Sequence, residues 1–388
     1  MSIKLVPSHK DLHDHILFAQ RNYIDAVTFV CIGSIHGNEQ AGVKALQNIA
    51  NAILSKNINL VGNFYALEGN RSAFKKGIRF QDKDLNRMWT NDQIEHIKSL
   101  EYFDSLEDKE QFELYSTIKK ILTNHKGPFV FVDLHTTSAD TVPFITISDS
   151  LNNREAASKF NLPIILGIEE TLDGPLLTYI NEFGHISLGF EAGQHKSKDA
   201  VLNCEAFIWL MMAQFGLVEK SQFPFLKYHT QLQVSTSKMG FYDITYRHAL
   251  RPFHRFKMLE GFVNFDPLIK GQPLAIEANQ KINSAFNGFI FMPLYQEQGE
   301  DGFFITNKIS KFWLGFSTLV RTYNLHKLLP LLPGVRQDKN HDYTLIVNPR
   351  VATFLTTKIF HLFGYRKKVL RDNKLHFIKR DRKISPFI

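Results

Sequence analysis

The chain has 388 residues, 44% hydrophobic and 22% charged, with a formal net charge of +8 and two cysteines. That length exceeds one compact core and predicts two domains with an appendage. Two cysteines exclude a disulfide framework and fit a reducing cytoplasm, no run approaches the roughly 18 apolar residues that span a bilayer, and residues 1–20 lack the apolar centre of a signal peptide.

The first half alternates two patterns. Apolar runs at Val27–Ile32, Leu60–Leu67, Phe129–Leu134, Phe144–Ile147, Leu162–Leu166 and His185–Phe190 read as strands. Between them, Gln40–Leu54, Asn91–Leu100, Lys109–Asn124, Leu151–Lys159 and Ala200–Phe215 carry helical periodicity. Strands interleaved with helices predict an α/β sandwich around a mixed or largely parallel sheet. After Ser221-Gln222-Phe223-Pro224 the character changes. Gln231–Ser235, Phe241–Thr245, Gly261-Phe262-Val263 and Gly288-Phe289-Ile290 read as short strands, separated by breakers at Asp266-Pro267 and Gly271-Gln272-Pro273. From Gly334 onward about 13 Lys/Arg stand against about 4 Asp/Glu. Such a flank reads first as a solvated surface, and it can also attract nucleic acid or anionic lipid. Within it, Val351–Phe363 has apolar residues at helical spacing, expected to dock on the protein body or to lie on a membrane surface. The expected organisation is a catalytic domain at 1–224, a β-rich domain at 225–330 and a basic extension at 331–388.

Three clusters carry chemistry. Gly33-Ser34-Ile35-His36-Gly37-Asn38-Glu39 follows the first strand-like run, and its glycines let His36 and Glu39 come round to one side as the next helix starts. Asp133-Leu134-His135, at the end of another run, can bring a third ligand. Two histidines and a carboxylate around an open position are a common ligand set for catalytic zinc. Asp133 has two readings: a backbone cap at a strand end, or the carboxylate that takes the outer N–H of a metal-bound imidazole. In Gly189-Phe190-Glu191-Ala192-Gly193 a lone carboxylate sits among small residues, where burial is costly without a partner or a purpose. Glu191 suits a general base beside a metal, and a structural ion pair is the other reading. The segment Gly77–Arg87 holds Arg79, Asn86 and Arg87. These can address an anionic substrate and a developing oxyanion, or form a surface ion-pair network.

In order and spacing, His36-Gly37-Asn38-Glu39, Arg79 with Asp84-Leu85-Asn86-Arg87, Asp133-Leu134-His135-Thr136-Thr137 and Gly189-Phe190-Glu191-Ala192-Gly193 resemble the succinylglutamate desuccinylase/aspartoacylase family. These are zinc enzymes related to the metallocarboxypeptidases, and the resemblance covers roughly residues 25 to 310. It implies a carboxypeptidase-like three-layer α/β sandwich with a mixed sheet, followed by a smaller β-rich domain that closes over the site. It implies one zinc ion held by His36, Glu39 and His135, with Glu191 as general base and acid. Arg79 would polarise the carbonyl, and Asn86 with Arg87 would bind the substrate's free carboxylate. The chain departs from the pattern at Asn181, where aspartoacylases carry an arginine for the acidic side of the substrate. It also has Asn70-Arg71-Ser72 in place of the usual proline loop, and Tyr295 is the nearest counterpart of a C-terminal tyrosine.

The expected protein is a cytoplasmic zinc-dependent deacylase or amidohydrolase acting on a small N-acyl amino acid or similar carboxylate-bearing substrate. Two rivals stand beside it: a metallocarboxypeptidase acting on a peptide or peptidoglycan stem, and a noncatalytic binding protein that keeps the fold. Nucleic acid is not expected as a partner, although the basic tail leaves it open, as the sequence does for a homo-oligomer.

Overall fold

A computed structural model describes residues 15–250, 255–348, 354–371, 373–385 and 387. The strands up to the middle of the chain are β1 (Ile16–Gln20), β2 (Thr28–Gly33), β3 (Asn63–Glu68), β4 (Phe129–Thr137), β5 (Phe144–Ile147), β6 (Pro163–Leu166), β7 (Ile186–Gln194) and β8 (Gly240–Ala249). There follow β9 (Phe256–Met258), β10 (Pro267–Leu268), β11 (Pro273–Glu277), β12 (Gln280–Asn283), β13 (Gly288–Phe291) and β14 (Asp301–Lys308). The last four are β15 (Val335–Gln337), β16 (Thr344–Val347), β17 (Tyr365–Arg371) and β18 (Lys374–Lys379). Eleven strands form one mixed sheet in the order β1-β3-β2-β4-β7-β5-β6-β8-β14-β13-β10. Its centre is parallel, β3 with β2, β2 with β4 and β4 with β7, while β5 runs antiparallel to β7.

The central strands β2, β4 and β7 are buried along almost their whole length, and largely apolar, because both faces are covered. On one side Phe29 and Cys31 of β2 and Val130 and Val132 of β4 pack with the helices Ala41–Ser55 and Ala200–Gln214. On the other, Val30, Ile32 and Phe131 pack with Leu106–Asn124 and Leu176–Glu182. The expected three-layer α/β sandwich with a mixed sheet is thus present. Two smaller antiparallel sheets accompany it, β12-β11-β9 and β15-β16-β18-β17. Among the described residues no helix is long and apolar enough to cross a membrane.

Three local expectations change. Gln231–Ser235 forms no strand: Pro224 opens the helix Phe225–Gln231, and the chain beyond it is irregular up to Gly240. Proline suits that position because its fixed φ is helical and the first turn needs no N–H from it. Gly261-Phe262-Val263 is a turn, in which Val263 N–H donates to Asp266 Oδ2 at 2.9 Å and Asp266 N–H donates to Val263 O at 3.1 Å. The basic extension is a solvated flank only in part: Arg336, Lys339, Lys358, Lys374 and Lys383 are exposed, but Arg366, Lys379 and Arg380 are buried. The expected helix forms over Phe354–Leu362, and Phe360 packs with Leu345, Val347 and Phe377 of the extension's own sheet. Its first part, Val351–Thr353, lies outside the described residues, as does the stretch 1–14 read for a signal.

Candidate active site

The parallel strands β2, β4 and β7 all point the same way, so the segments following or ending them meet at one sheet edge. Register places His135 of β4 opposite Glu191 of β7. Just beyond β2 the chain turns sharply at Ser34, whose φ is 58°. Gly37 then passes so close to the Ala73–Phe74 backbone that a Cβ would lie 2.2 Å from Ala73 C, so no side chain fits there. Gly37 N–H donates to Arg79 O at 3.0 Å, which ties the His36 turn to the Arg79 loop.

Glu39 sits between two imidazoles. His36 Nδ1 lies 2.8 Å from Glu39 Oε1, and His135 Nδ1 lies 3.0 Å from Glu39 Oε2. Thr136 N–H donates to the same Oε2 at 3.0 Å. The outer nitrogens have their own carboxylates: His36 Nε2 is 3.2 Å from Asp84 Oδ1, and His135 Nε2 is 2.9 Å from Asp133 Oδ2. Of the two readings of Asp133, the imidazole partner is the one present. Burial alone would raise the Glu39 carboxyl, but His36 and His135 outweigh it and hold it well below the usual range. Burial likewise disfavours the charged His135, yet Asp133 and Glu39 carry it well above the ordinary imidazole value.

Glu191 is buried beside this group, and its Oε2 has no hydrogen-bond partner among the described residues. Burial pushes its carboxyl up to about 8, with Glu39 and Asp133 adding to the rise and His135 and Arg79 opposing it. Arg79 reaches Asp84 Oδ2 with Nη2 at 3.0 Å and Nε at 3.3 Å, and its Nη2 is 2.8 Å from His36 Nε2. Asn86 Oδ1 accepts from Leu176 N–H at 2.9 Å. Arg87 Nη1 donates to Asn86 O at 3.0 Å, while its ion pairs to Glu300 and Asp301 are loose, at 3.8 and 3.7 Å. Its Nε is buried without a hydrogen-bond partner among the described residues.

All seven candidate residues, His36, Glu39, Arg79, Asn86, Arg87, His135 and Glu191, line one cavity of about 140 Å³. Met292–Leu294, Gln296 and Gly299–Asp301 line it too, so the segment between β13 and β14 covers the catalytic layer's edge. Sequence reasoning missed several of its features. Asp84 stood within a recognised motif, but its contact with His36 links residues 48 apart. His195, bound to Thr136 Oγ1 at 2.7 Å and Gln296 Oε1 at 3.0 Å, had no periodic or motif signal. Two departures fall outside the cavity. Asn181 is buried beside Ser150, and the Tyr295 hydroxyl is engaged with Leu259 O and Phe262 N–H.

Comparison with known proteins bears on this geometry. Residues 25–203 match the model of the succinylglutamate desuccinylase/aspartoacylase catalytic domain, a span that contains all seven candidate residues. A curated succinylglutamate desuccinylase from Yersinia pseudotuberculosis serotype O:3 (strain YPIII) is 34% identical over 73 residues, which make up 19% of this chain and 22% of that relative's length. A solved succinylglutamate desuccinylase from Vibrio parahaemolyticus has a TM-score of 0.54 at 13% identity, covering 75% of this chain and 84% of that one. The product-bound ectoine utilization protein EutE (DoeB) from Ruegeria pomeroyi has a TM-score of 0.55 at 17% identity, covering 75% and 88%. A succinylglutamate desuccinylase/aspartoacylase from Rhodobacter sphaeroides gives 0.55 at 15% identity, covering 76% and 88%. These structural likenesses establish a shared fold, and the family match is confined to residues 25–203. Over residues 25–203 the chain is thus similar to the catalytic domain of the succinylglutamate desuccinylase/aspartoacylase family.

Proposed function

We propose that the protein is a zinc-dependent hydrolase that cleaves the amide bond of a small N-acyl amino acid or a similar carboxylate-bearing substrate. The observation that carries this reading is the convergence of two imidazole Nδ1 atoms on Glu39, beside the buried and unpartnered Oε2 of Glu191. The donor set suits one zinc ion. The ligand atoms of His36, Glu39 and His135 lie within 4.8 Å of one another, and each outer Nε2 has a carboxylate partner, as metal-bound imidazoles usually do. Zinc held there supplies Lewis acidity for a carbonyl and lowers the pKa of a bound water to about 7.

The remaining chemistry belongs to the chain. Glu191 takes the proton of the attacking water on its carboxylate and returns it to the departing amine nitrogen. Arg79, kept in place by Asp84, donates to the carbonyl oxygen as that oxygen gains charge. Arg87, with its buried Nε uncommitted and its ion pairs loose, offers a fork to the substrate's free carboxylate. Asn86 spends its Oδ1 on Leu176 N–H, which leaves its Nδ2 as the donor for the same carboxylate.

A metallocarboxypeptidase would use the same groups. The segment Met292–Asp301 over a cavity of about 140 Å³ favours a small molecule over a peptide stem. Metal analysis and a panel of N-acyl amino acids and short peptides test the reading. Purified protein should hold one zinc, lose turnover on chelation and prefer the acyl amino acids. His36→Ala with full zinc content and full turnover would overturn it.

A further inference from the structure

The helix Lys311–Thr322 is turned the unusual way round. Its inward side carries Ser317, Val320 and Arg321. The Arg321 guanidinium donates to Asp381 Oδ2 at 2.9 Å and to Asp149 Oδ1 at 3.2 Å. Its outward side carries Phe312, Phe316, Leu319 and, just past its end, Tyr323. These fall at i, i+4, i+7 and i+11, a spacing that puts them on one face. They are 40–70% exposed. Trp313 is half exposed beside them, and the rings of Phe312, Trp313 and Phe316 lie 5.2–6.4 Å apart. The 3-10 turn Leu325–Leu331 that follows adds exposed Leu328 and Leu331. In a globular protein such a stripe normally faces the core. A continuous apolar face in water marks a docking surface.

Charge decides what docks. Between Asp301 and Asp338 the chain contains no Asp or Glu, while Lys308, Lys311, Lys327 and Arg336 are all exposed. A second copy bound by the same face would bring like charges together, because a two-fold contact is self-complementary. An anionic surface would pair with them. Twelve residues of helix are too short to cross a bilayer, which takes about 20. A helix of this kind can lie in the headgroup layer, with aromatic rings in the acyl boundary and lysines among the phosphates. We propose that the face built from Lys311–Thr322 and Leu325–Leu331 docks the protein on the surface of an anionic lipid bilayer. The inference is independent of the hydrolase reading.

The test uses the full chain with vesicles of phosphatidylglycerol and phosphatidylcholine, against vesicles of phosphatidylcholine alone. Trp89 and Trp209 are buried, so a change in tryptophan fluorescence on docking reports Trp313. The expected result is cosedimentation with the anionic vesicles, a blue-shifted emission, and release in about 0.5 M salt. The variant Phe312→Ser/Phe316→Ser/Leu319→Ser should keep the parent's unfolding midpoint and bind at least about tenfold more weakly. Lys311→Glu/Lys327→Glu, which leaves the apolar face intact, should also weaken binding. No partition onto anionic vesicles, or equal partition of parent and both variants, would overturn the proposal. So would a lipid-free dimer that the serine variant dissolves, since the face would then be an interface between copies.

Discussion

Asp133 and Asp84 hold the outer nitrogens of His135 and His36. A carboxylate there orients the ring and raises the basicity of the opposite nitrogen. Asp133→Asn is therefore expected to weaken zinc affinity by about 10- to 100-fold, read by competition with a chelator of known affinity. Glu191→Gln should separate binding from proton transfer. It should retain zinc and leave KM close to the parent's, while kcat falls by about 10²- to 10⁴-fold. A variant that lost its metal instead would place Glu191 among the ligands. At this scale the candidate residues were legible because His36, His135 and Glu191 interrupt or end apolar strands, where a polar side chain is costly without a purpose. Their partners were less so. Whether Asp133 capped a strand or held an imidazole depended on a ring orientation that only the folded chain specifies. Asn181 stood out as a departure from a motif, and its burial beside Ser150 is a long-range fact absent from its neighbours in sequence.

The loop that carries Arg79 is held by one carboxylate on another element. Glu107, in the first turn of the helix Leu106–Asn124, is fully buried and accepts from Gln81, Asp82 and Lys83 N–H and from Asn70 Nδ2 at 2.8–3.3 Å. Removing it leaves the buried Asn70 Nδ2 without this acceptor, at a cost of about 1–3 kcal/mol, and frees the partly exposed N–H groups of Gln81, Asp82 and Lys83 to water. Glu107→Ala should therefore lower stability by about 1–3 kcal/mol in denaturant titration, and lower kcat because Arg79 loses its support. Glu107→Gln keeps one acceptor oxygen and should recover part of both. Elements with uniform burial were the most readable: β2 and β4 are buried end to end because helices cover both faces, and each carries an apolar run. Half-covered elements were not. The edge strand β1 has no fully buried residue, so Ile16–Gln20 carries little strand signal. In Lys311–Thr322 the amphipathic spacing is plain, but spacing does not say which side faces inward, and here the charged Arg321 does.

The whole molecule is joined by charge as well as by apolar packing. Asp149 accepts from Arg154, from Arg321 beyond the β-rich segment, and from Arg366 of the C-terminal sheet. The basic excess of the C-terminal region is in this way partly folded inward, which a count of charges along the sequence cannot reveal. Burial would raise the Asp149 carboxyl, but the three guanidiniums outweigh it and hold it well below the usual range. Such a carboxylate contributes stability that is present above its unfolded pKa of about 4 and is lost as pH falls further. His185 acts in a higher window. It is packed edge-on to Phe129 with ring centroids 5.1 Å apart, and burial lowers its pKa to about 4. The folded ring stays neutral while the unfolded one takes up a proton below about pH 6.5, so stability should decline between about pH 6.5 and 4, by at most about 3 kcal/mol from this group. His185→Phe removes the titration and keeps an aromatic ring against Phe129. Its unfolding free energy should fall less steeply with acid than the parent's across that window, and the two curves should run parallel below about pH 4, where Asp149 dominates both. Equal slopes from pH 7 to 4 would mean that His185 is not held neutral by the fold.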